Sequence, residues 1–298
     1  MRDVLAAFVD RHVELGRFCE MLENDEKPIM IVWGDDGIGK SSFLARLIHE
    51  CATRKLRKAE VFVSKIRFNT YLDILRKIRD DLGPEFFPNF TQLVNSLFPS
   101  PLQPPVPIKI EISGGALSVL ELAKLENVTI HGDVAAVIIK DNMINAPDPN
   151  KDILPQDRMN LLTAKFLEDL APVVQNEMLV VLFDDIQELT EETYKWLWEG
   201  IISALEGGRL KNIRFVLCGR TKPQLEGNAA LSVKEAPLQP LALPDVENYL
   251  ERSGHVAEGL KPVAEMLWAA SNGIPYNIAL QLDGYFQRFP HKRVRVNG

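Results

Sequence analysis

Five consecutive apolar residues, Ile29 to Trp33, stand ahead of a glycine-rich stretch, after which Phe43, Leu44, Leu47 and Ile48 recur at helical spacing. An unbroken apolar run suits a strand buried on both faces of a parallel sheet, so the pattern predicts strand, loop and helix in that order. The rhythm repeats along the chain. Leu15, Phe18, Cys19 and Leu22 mark one face of a helix that the turn at Asn24 to Pro28 ends before the first strand. Val61 to Phe68 reads as a second strand, followed by a helix whose inner face carries Tyr71, Ile74, Leu75, Ile78 and Leu82. Met159, Leu162, Phe166 and Leu170 mark another helix, Met178 to Phe183 a strand, Tyr194, Leu197, Trp198, Ile201 and Leu205 a helix, and Ile213 to Cys218 a strand. Strands separated by helices imply a parallel sheet with right-handed crossovers.

The rhythm breaks twice. Pro99, Pro101, Pro104, Pro105 and Pro107 predict an extended connector. Beyond it, Ile108 to Ile112 and Val128 to Val134 alternate, so residues 99 to about 155 read as an inserted β-rich segment, either a surface hairpin that caps the sheet or a partner contact. From about Ala236 the stripes Val246, Tyr249 and Leu250, then Val263, Met266, Leu267 and Ala270, then Ile278 and Leu282 predict a small helical bundle. The expected organisation is an α/β domain over residues 1–235 and a helical lid over residues 236–298.

The loop between the first strand and its helix fits Gly-x-x-x-x-Gly-Lys-Ser, the phosphate-binding pattern of P-loop nucleoside triphosphatases. Gly34, Asp36, Gly37, Ile38 and Gly39 supply backbone that wraps an anion at a helix N-terminus, where the helix dipole adds positive potential. Lys40 is read as the cation for the β- and γ-phosphates, Ser41 as a Mg²⁺ ligand, and Ser42 as an α-phosphate contact. The strand ending at Phe183 hands over to Asp184 and Asp185. Ligands of open parallel sheets bind beyond the strands' carboxyl ends, so Asp184 is read as holding the Mg²⁺ shell and Asp185 as orienting or deprotonating the attacking water. Arg220 stands at another strand end, where a guanidinium can sense a γ-phosphate. No Asn-Lys-x-Asp follows it, so a guanine-specific site is unsupported.

Composition narrows the classes. The 298 residues carry 34 Lys and Arg against 41 Asp and Glu, a net charge of −7, so no generally basic nucleic-acid surface is expected. Two basic clusters, Arg54 to Lys58 and His291 to Arg295, are the candidates for a local patch. Three widely spaced cysteines show neither disulfide nor zinc spacing. With no apolar run of membrane length and no secretory core at the N-terminus, a soluble cytoplasmic protein is expected, without a separate N-terminal effector domain.

Taken in order, these pieces resemble the STAND class of signalling ATPases, relatives of AAA+ proteins that include NACHT and NB-ARC members. Phe8-Val9-Asp10-Arg11 with Glu14-Leu15 is similar to the element that precedes the loop and borders the adenine, with Asp10 where a glycine is usual. Leu238 to Leu241 with Val246 to Leu250 resembles the start of the lid, and Gly273-Ile274-Pro275 its Gly-x-Pro turn, whose proline packs near the adenine. The resemblance implies ATP or ADP with Mg²⁺ as ligands, contacts from Val9, Arg11 and Pro275, and slow hydrolysis using Lys40, Asp185 and Arg220. It further implies coupling of nucleotide state to lid movement or oligomerisation with protein partners, in signalling such as bacterial defence or innate immunity. The typical winged-helix and sensor repeats do not follow the Gly-x-Pro helices, which fits either a fragment or a compact member. The competing readings are an AAA+ ATPase acting on DNA, in replication or transposition, and a non-hydrolysing nucleotide-bound scaffold. Direct nucleic-acid binding is not expected.

Overall fold

The computed structural model describes residues 8–9, 11–24, 26–66, 70–98, 108–109, 128–129, 154–206, 210–223, 232–252 and 260–288. Its centre is a sheet of five parallel strands: β1 (Ile29–Trp33), β2 (Arg57–Phe62), β5 (Leu179–Asp184), β6 (Ile213–Gly219) and β7 (Val233–Pro237), in the spatial order β2-β5-β6-β1-β7. The apolar runs are continuous because both faces are covered. Ile29, Ile31, Val181, Phe183, Phe215 and Leu217 point into one core, closed by α3 (Tyr71–Leu82), α4 (Pro88–Leu97), α5 (Pro155–Val173) and α6 (Glu191–Trp196). Met30, Val32, Val180, Leu182, Val216 and Cys218 point into the other, closed by α1 (His12–Glu23) and α2 (Lys40–Thr53). The alternation is the two-residue period of a strand with an apolar environment on each side.

Two strands differ from the sequence reading. β2 starts at Arg57 and gives way to a 3-10 turn (Val63–Lys65), where the apolar residues had pointed to a strand over 61–68. β7 carries Lys234 and Glu235, for which the sequence predicts no strand, and its end overlaps the expected start of the helical bundle at about Ala236; it pairs with β1 through Ala236↔Val32 and Pro237↔Trp33, so residues 236 and 237 belong to the sheet. Both are edge strands, where charged residues are tolerated and also discourage pairing with another chain. The basic tract beside β2 is matched by carboxylates: Arg54 pairs with Glu50, Arg57 with Glu177 and Lys58 with Glu60. In the inserted segment, β3 (Ile108–Lys109) and β4 (Val128–Thr129) pair in parallel, so these two runs are not the arms of a tight hairpin. The rest of residues 99–153 lies outside the described residues, as does the cluster at 291–295.

α6 continues through a π-helical stretch (Leu197–Ile202) into α7 (Ser203–Glu206). Within this stretch both Ile201 and Ile202 are buried and join Trp196 and Leu197 in the core, and Trp196 donates its ring N–H to Thr163 Oγ1 at 2.8 Å. No helix among the described residues is long and apolar enough to cross a membrane.

The lid consists of α8 (Leu243–Arg252), α9 (Leu260–Ser271) and α10 (Pro275–Arg288). Val246, Leu250, Ala264, Leu267, Ile278 and Leu282 form its core. Between α9 and α10 the chain reverses through Asn272 and Gly273, with φ of 51° and 70°. Leu241 N–H donates to the Gly273 carbonyl at 2.8 Å, and the Trp268 indole N–H donates to the Leu241 carbonyl at 3.0 Å, fixing the turn against the lid's entry. A Cβ at position 273 would lie 2.4 Å from the Leu241 carbonyl oxygen. Strained φ and steric overlap together set the expected cost of Gly273→Ala at about 1–3 kcal/mol. Hydrogen exchange should show faster exchange in α9 and α10 and unchanged protection in the sheet; wild-type protection in the lid would refute this account of the turn.

Candidate functional site

Strand β1 ends at Trp33 and the loop begins, packed so closely that a Cβ on Gly34 would stand 2.9 Å from the Leu238 carbonyl oxygen. Gly37 has φ 77°, and a Cβ there would come within 2.8 Å of Tyr276 Cβ. Gly39, with φ 98°, is the N-cap of α2 and makes no side-chain cap, which leaves the first-turn N–H groups facing the loop's concave side. Ile38 is buried beneath the loop, and Ser42 is half-buried in the first turn.

The loop's carbonyls are held from three directions. Lys40 Nζ, largely buried, donates to the Gly34 carbonyl at 2.7 Å and to that of Asp35 at 2.9 Å. An ammonium has three donors, so one remains for an anion. Arg11, also buried, donates from Nη2 to the Ile38 carbonyl at 3.1 Å. From the lid, Tyr276 N–H donates to the Gly37 carbonyl at 3.1 Å, and Pro275 Cγ approaches to 3.8 Å of the position a Cβ on Gly39 would take. Pro275 opens α10, where its missing N–H leaves no hydrogen bond unmade.

Beside the loop, Ser41 Oγ donates to Asp184 Oδ2 at 2.8 Å. The bond spans β6, which lies between β1 and β5, so the serine and the carboxylate face one another across the strand ends. Asp184 is buried, and burial raises its pKa above the ordinary carboxylate value. The Ser41 hydrogen bond opposes that rise, the neighbouring Asp185 charge adds to it, and the Asp185 N–H and the Lys40 charge oppose it. Asp185 itself sits in the left-handed region at φ 57°, at the N-cap of a 3-10 turn (Ile186–Glu188). Its Oδ1 accepts from Gln187 Nε2 at 3.0 Å, while Gln187 Oε1 accepts from the Arg220 N–H at 3.2 Å. Gln187 thus ties the acidic strand end to the arginine, a link for which the sequence carries no signal beyond a polar residue after two aspartates. Arg220 Nε lies 3.1 Å from Asp36 Oδ1, and its Nη2 lies 3.9 Å from Glu188 Oε1.

Of the residues singled out by sequence, Gly34 to Ser42, Asp184, Asp185, Arg220, Arg11 and Pro275 all gather at the carboxyl ends of β1, β5 and β6. Val9 stands apart from the loop's hydrogen bonds and packs into the lid core with Leu241 and Ile278, while Phe8 stacks on Phe43 of α2 at 6.4 Å. The two residues therefore join the lid to the sheet domain. Asp10 lies outside the described residues. Among the described residues, no three carboxylates, histidines or cysteines cluster as a protein-only metal site. Ser41 and Asp184 supply hard oxygen donors, which fits Mg²⁺ held by few protein ligands together with phosphate and water. Two surface cavities of about 690 and 710 Å³ contain none of these residues: one lies beside Thr163 and Trp196, the other beside Arg57 and Asp169.

No protein-family model and no curated protein sequence matches the chain. Among solved structures, Cdc6p from Pyrobaculum aerophilum superposes with a TM-score of 0.51 at 14% identity, over 98% of this chain and 68% of that one. A chain of the Escherichia coli MS115-1 HORMA:CdnC:Trip13 complex gives 0.45 at 9%, over 89% and 76%. A chain of the Drosophila ORC bound to DNA gives 0.44 at 12%, over 95% and 62%. The first likeness, with the five-stranded parallel sheet and flanking helices, shows an α/β P-loop fold.

The raised pKa of Asp184 has a stability consequence. The unfolded carboxyl ionises at about pH 4, before the folded one, so stability is fully present below that pH and is lost as pH rises through the higher folded value. Asp184→Asn removes the cost of the buried charge. The apo variant should melt at or above the wild-type temperature at pH 7, with the advantage shrinking as pH falls through the raised folded value and gone by about pH 4, and the rise in melting temperature expected of the wild type with Mg²⁺-ATP should be lost. A lower apo melting temperature at pH 7, in thermal scans across pH, would contradict the burial argument.

Proposed function

We propose that this protein is an ATP-binding, slowly hydrolysing switch of the STAND type, acting in cytoplasmic signalling by coupling nucleotide state to lid position or assembly with protein partners. The observation that carries the reading is the convergence on one loop of Lys40 with a spare donor, the Ser41–Asp184 pair and the lid's Tyr276 N–H. Lys40 and the α2 N-terminus would take the β- and γ-phosphates, and Mg²⁺ bound by Ser41 and Asp184 would neutralise phosphate charge. Asp185, oriented by Gln187, would take the proton of the attacking water, and Arg220 would meet the γ-phosphate. Arg11 and Pro275 would border the base, with Val9 joining that region to the lid core.

A switch requires that the lid's two positions differ in affinity for ATP and ADP. The Tyr276–Gly37 hydrogen bond supports such a coupling, since any movement of the loop's peptide on phosphate binding acts directly on α10. An ATPase of the same fold acting on DNA would use the same site; the paired carboxylates beside Arg54, Arg57 and Lys58 weigh against a DNA contact at that tract.

Calorimetric titration should give Mg²⁺-ATP binding to the wild type and none to Lys40→Ala at the same concentrations. In the same series Asp185→Asn should bind ATP normally and hydrolyse it ~10²-fold more slowly, the scale of general-base loss; equal rates would remove Asp185 from the chemistry. Hydrogen exchange with a non-hydrolysable ATP analogue against ADP should differ in α8 to α10. Identical exchange and identical assembly mass with both nucleotides would favour the nucleotide-stabilised scaffold.

A further inference from the structure

Asp36 lies in the middle of the loop, between Gly34 and Gly37, with its side chain 70% exposed. A carboxylate in an anion-binding loop repels the ligand that the loop's N–H groups and Lys40 attract, unless a cation neutralises it. Arg220 is that cation, with Nε 3.1 Å from Asp36 Oδ1. On its other side Nη2 faces Glu188 at 3.9 Å, at the end of the turn that Asp185 begins. The arginine is thus bracketed by one acid from the loop and one from the acidic strand end. At 53% exposed its side chain is not packed in place, while its backbone N–H is fixed by Gln187, so the guanidinium can change partner without moving the strand.

We propose that Asp36 sets the preference of this site for ATP over ADP by competing with the terminal phosphate for Arg220. The inference rests on the reading of Arg220 as facing that phosphate. ADP leaves the arginine on its two carboxylates, whereas ATP must draw it away, so part of the gain from the Arg220–phosphate contact is spent on breaking the Asp36 pair. Asp36 therefore lowers ATP affinity selectively and makes the response to the terminal phosphate an exchange of partners. Glu188 contributes in the same direction and less strongly, being farther from the guanidinium.

The test is a double-mutant cycle read as the ratio of ADP to ATP-analogue dissociation constants, measured by calorimetry with Mg²⁺ and a non-hydrolysable analogue on the full chain. Asn is isosteric with Asp at an exposed position, so folding is not at risk. Asp36→Asn should raise the ratio up to about fivefold, the upper range for an exposed ion pair, and Glu188→Gln should raise it by a smaller step. In the Arg220→Ala background Asp36→Asn should leave the ratio unchanged. Equal tightening of both nucleotides by Asp36→Asn would mean plain repulsion and would overturn the proposal while leaving the role of Arg220 intact. A ratio raised equally with and without Arg220 would overturn the exchange. If Arg220→Ala alone leaves the wild-type ratio unchanged, the underlying reading of Arg220 fails, and the proposal with it.

Discussion

A loop of peptide groups can bind an anion only if its carbonyls are occupied elsewhere, and the architecture around this one follows from that constraint. A trans peptide directs its N–H opposite to its C=O, so a carbonyl tied to a donor outside the loop turns the following N–H towards the inside. Arg11 takes the Ile38 carbonyl and Tyr276 that of Gly37, both from outside the loop, while Lys40, the motif's own cation, ties down those of Gly34 and Asp35. These donors come from the segment before α1, from the lid and from α2. Each is buried or held by its own element, so the loop's shape depends on the assembly of the whole molecule, and a movement of the lid is felt at a loop peptide.

The second constraint is the buried acid. Asp184 is kept away from water at a strand end, with a single hydroxyl, a backbone N–H and a nearby ammonium to offset the loss of hydration. Burial still dominates, so the ionised form is held at a cost to the empty protein. A divalent cation at this position would reverse the balance, because the group that suffers from burial is the group a hard cation favours.

Strand order explains how the remaining charges meet. With β6 between β1 and β5, the residue that leaves β6 emerges between the phosphate loop and the acidic strand end. Arg220 occupies that place and touches both, Asp36 through its side chain and Gln187 through its backbone. Gln187 then reaches Asp185, so the three strand ends form one polar network that joins Asp36 of the loop to residues distant from it in sequence. The glycines of the loop make room for the lid. Position 37 has no room for a side chain because Tyr276 packs on it.

The sequence by itself determined the features that local chemistry encodes. Glycine spacing and the flanking apolar runs marked the phosphate loop, period-2 and period-3.6 patterns marked most strands and helices, and the turn at Gly273 to Pro275 followed from residues with special backbone preferences. Asp184, Asp185 and Arg220 were legible because strand ends are legible. The edge strand β7 was not, since only Val233 and Ala236 of its five residues are buried and the Lys234-Glu235 pair between them carries no apolar signal. The π-helical stretch in which both Ile201 and Ile202 are buried was not, because it departs from the 3.6 period used to read the helix. Tertiary structure alone decided the placement of β6 between β1 and β5, the hydrogen bonds of Arg11 and Tyr276 to the loop, the Gln187 link and the Asp36–Arg220 pair. All of these join residues distant in the chain, through directional contacts that form only after burial has fixed the order of the strands and the seat of the lid.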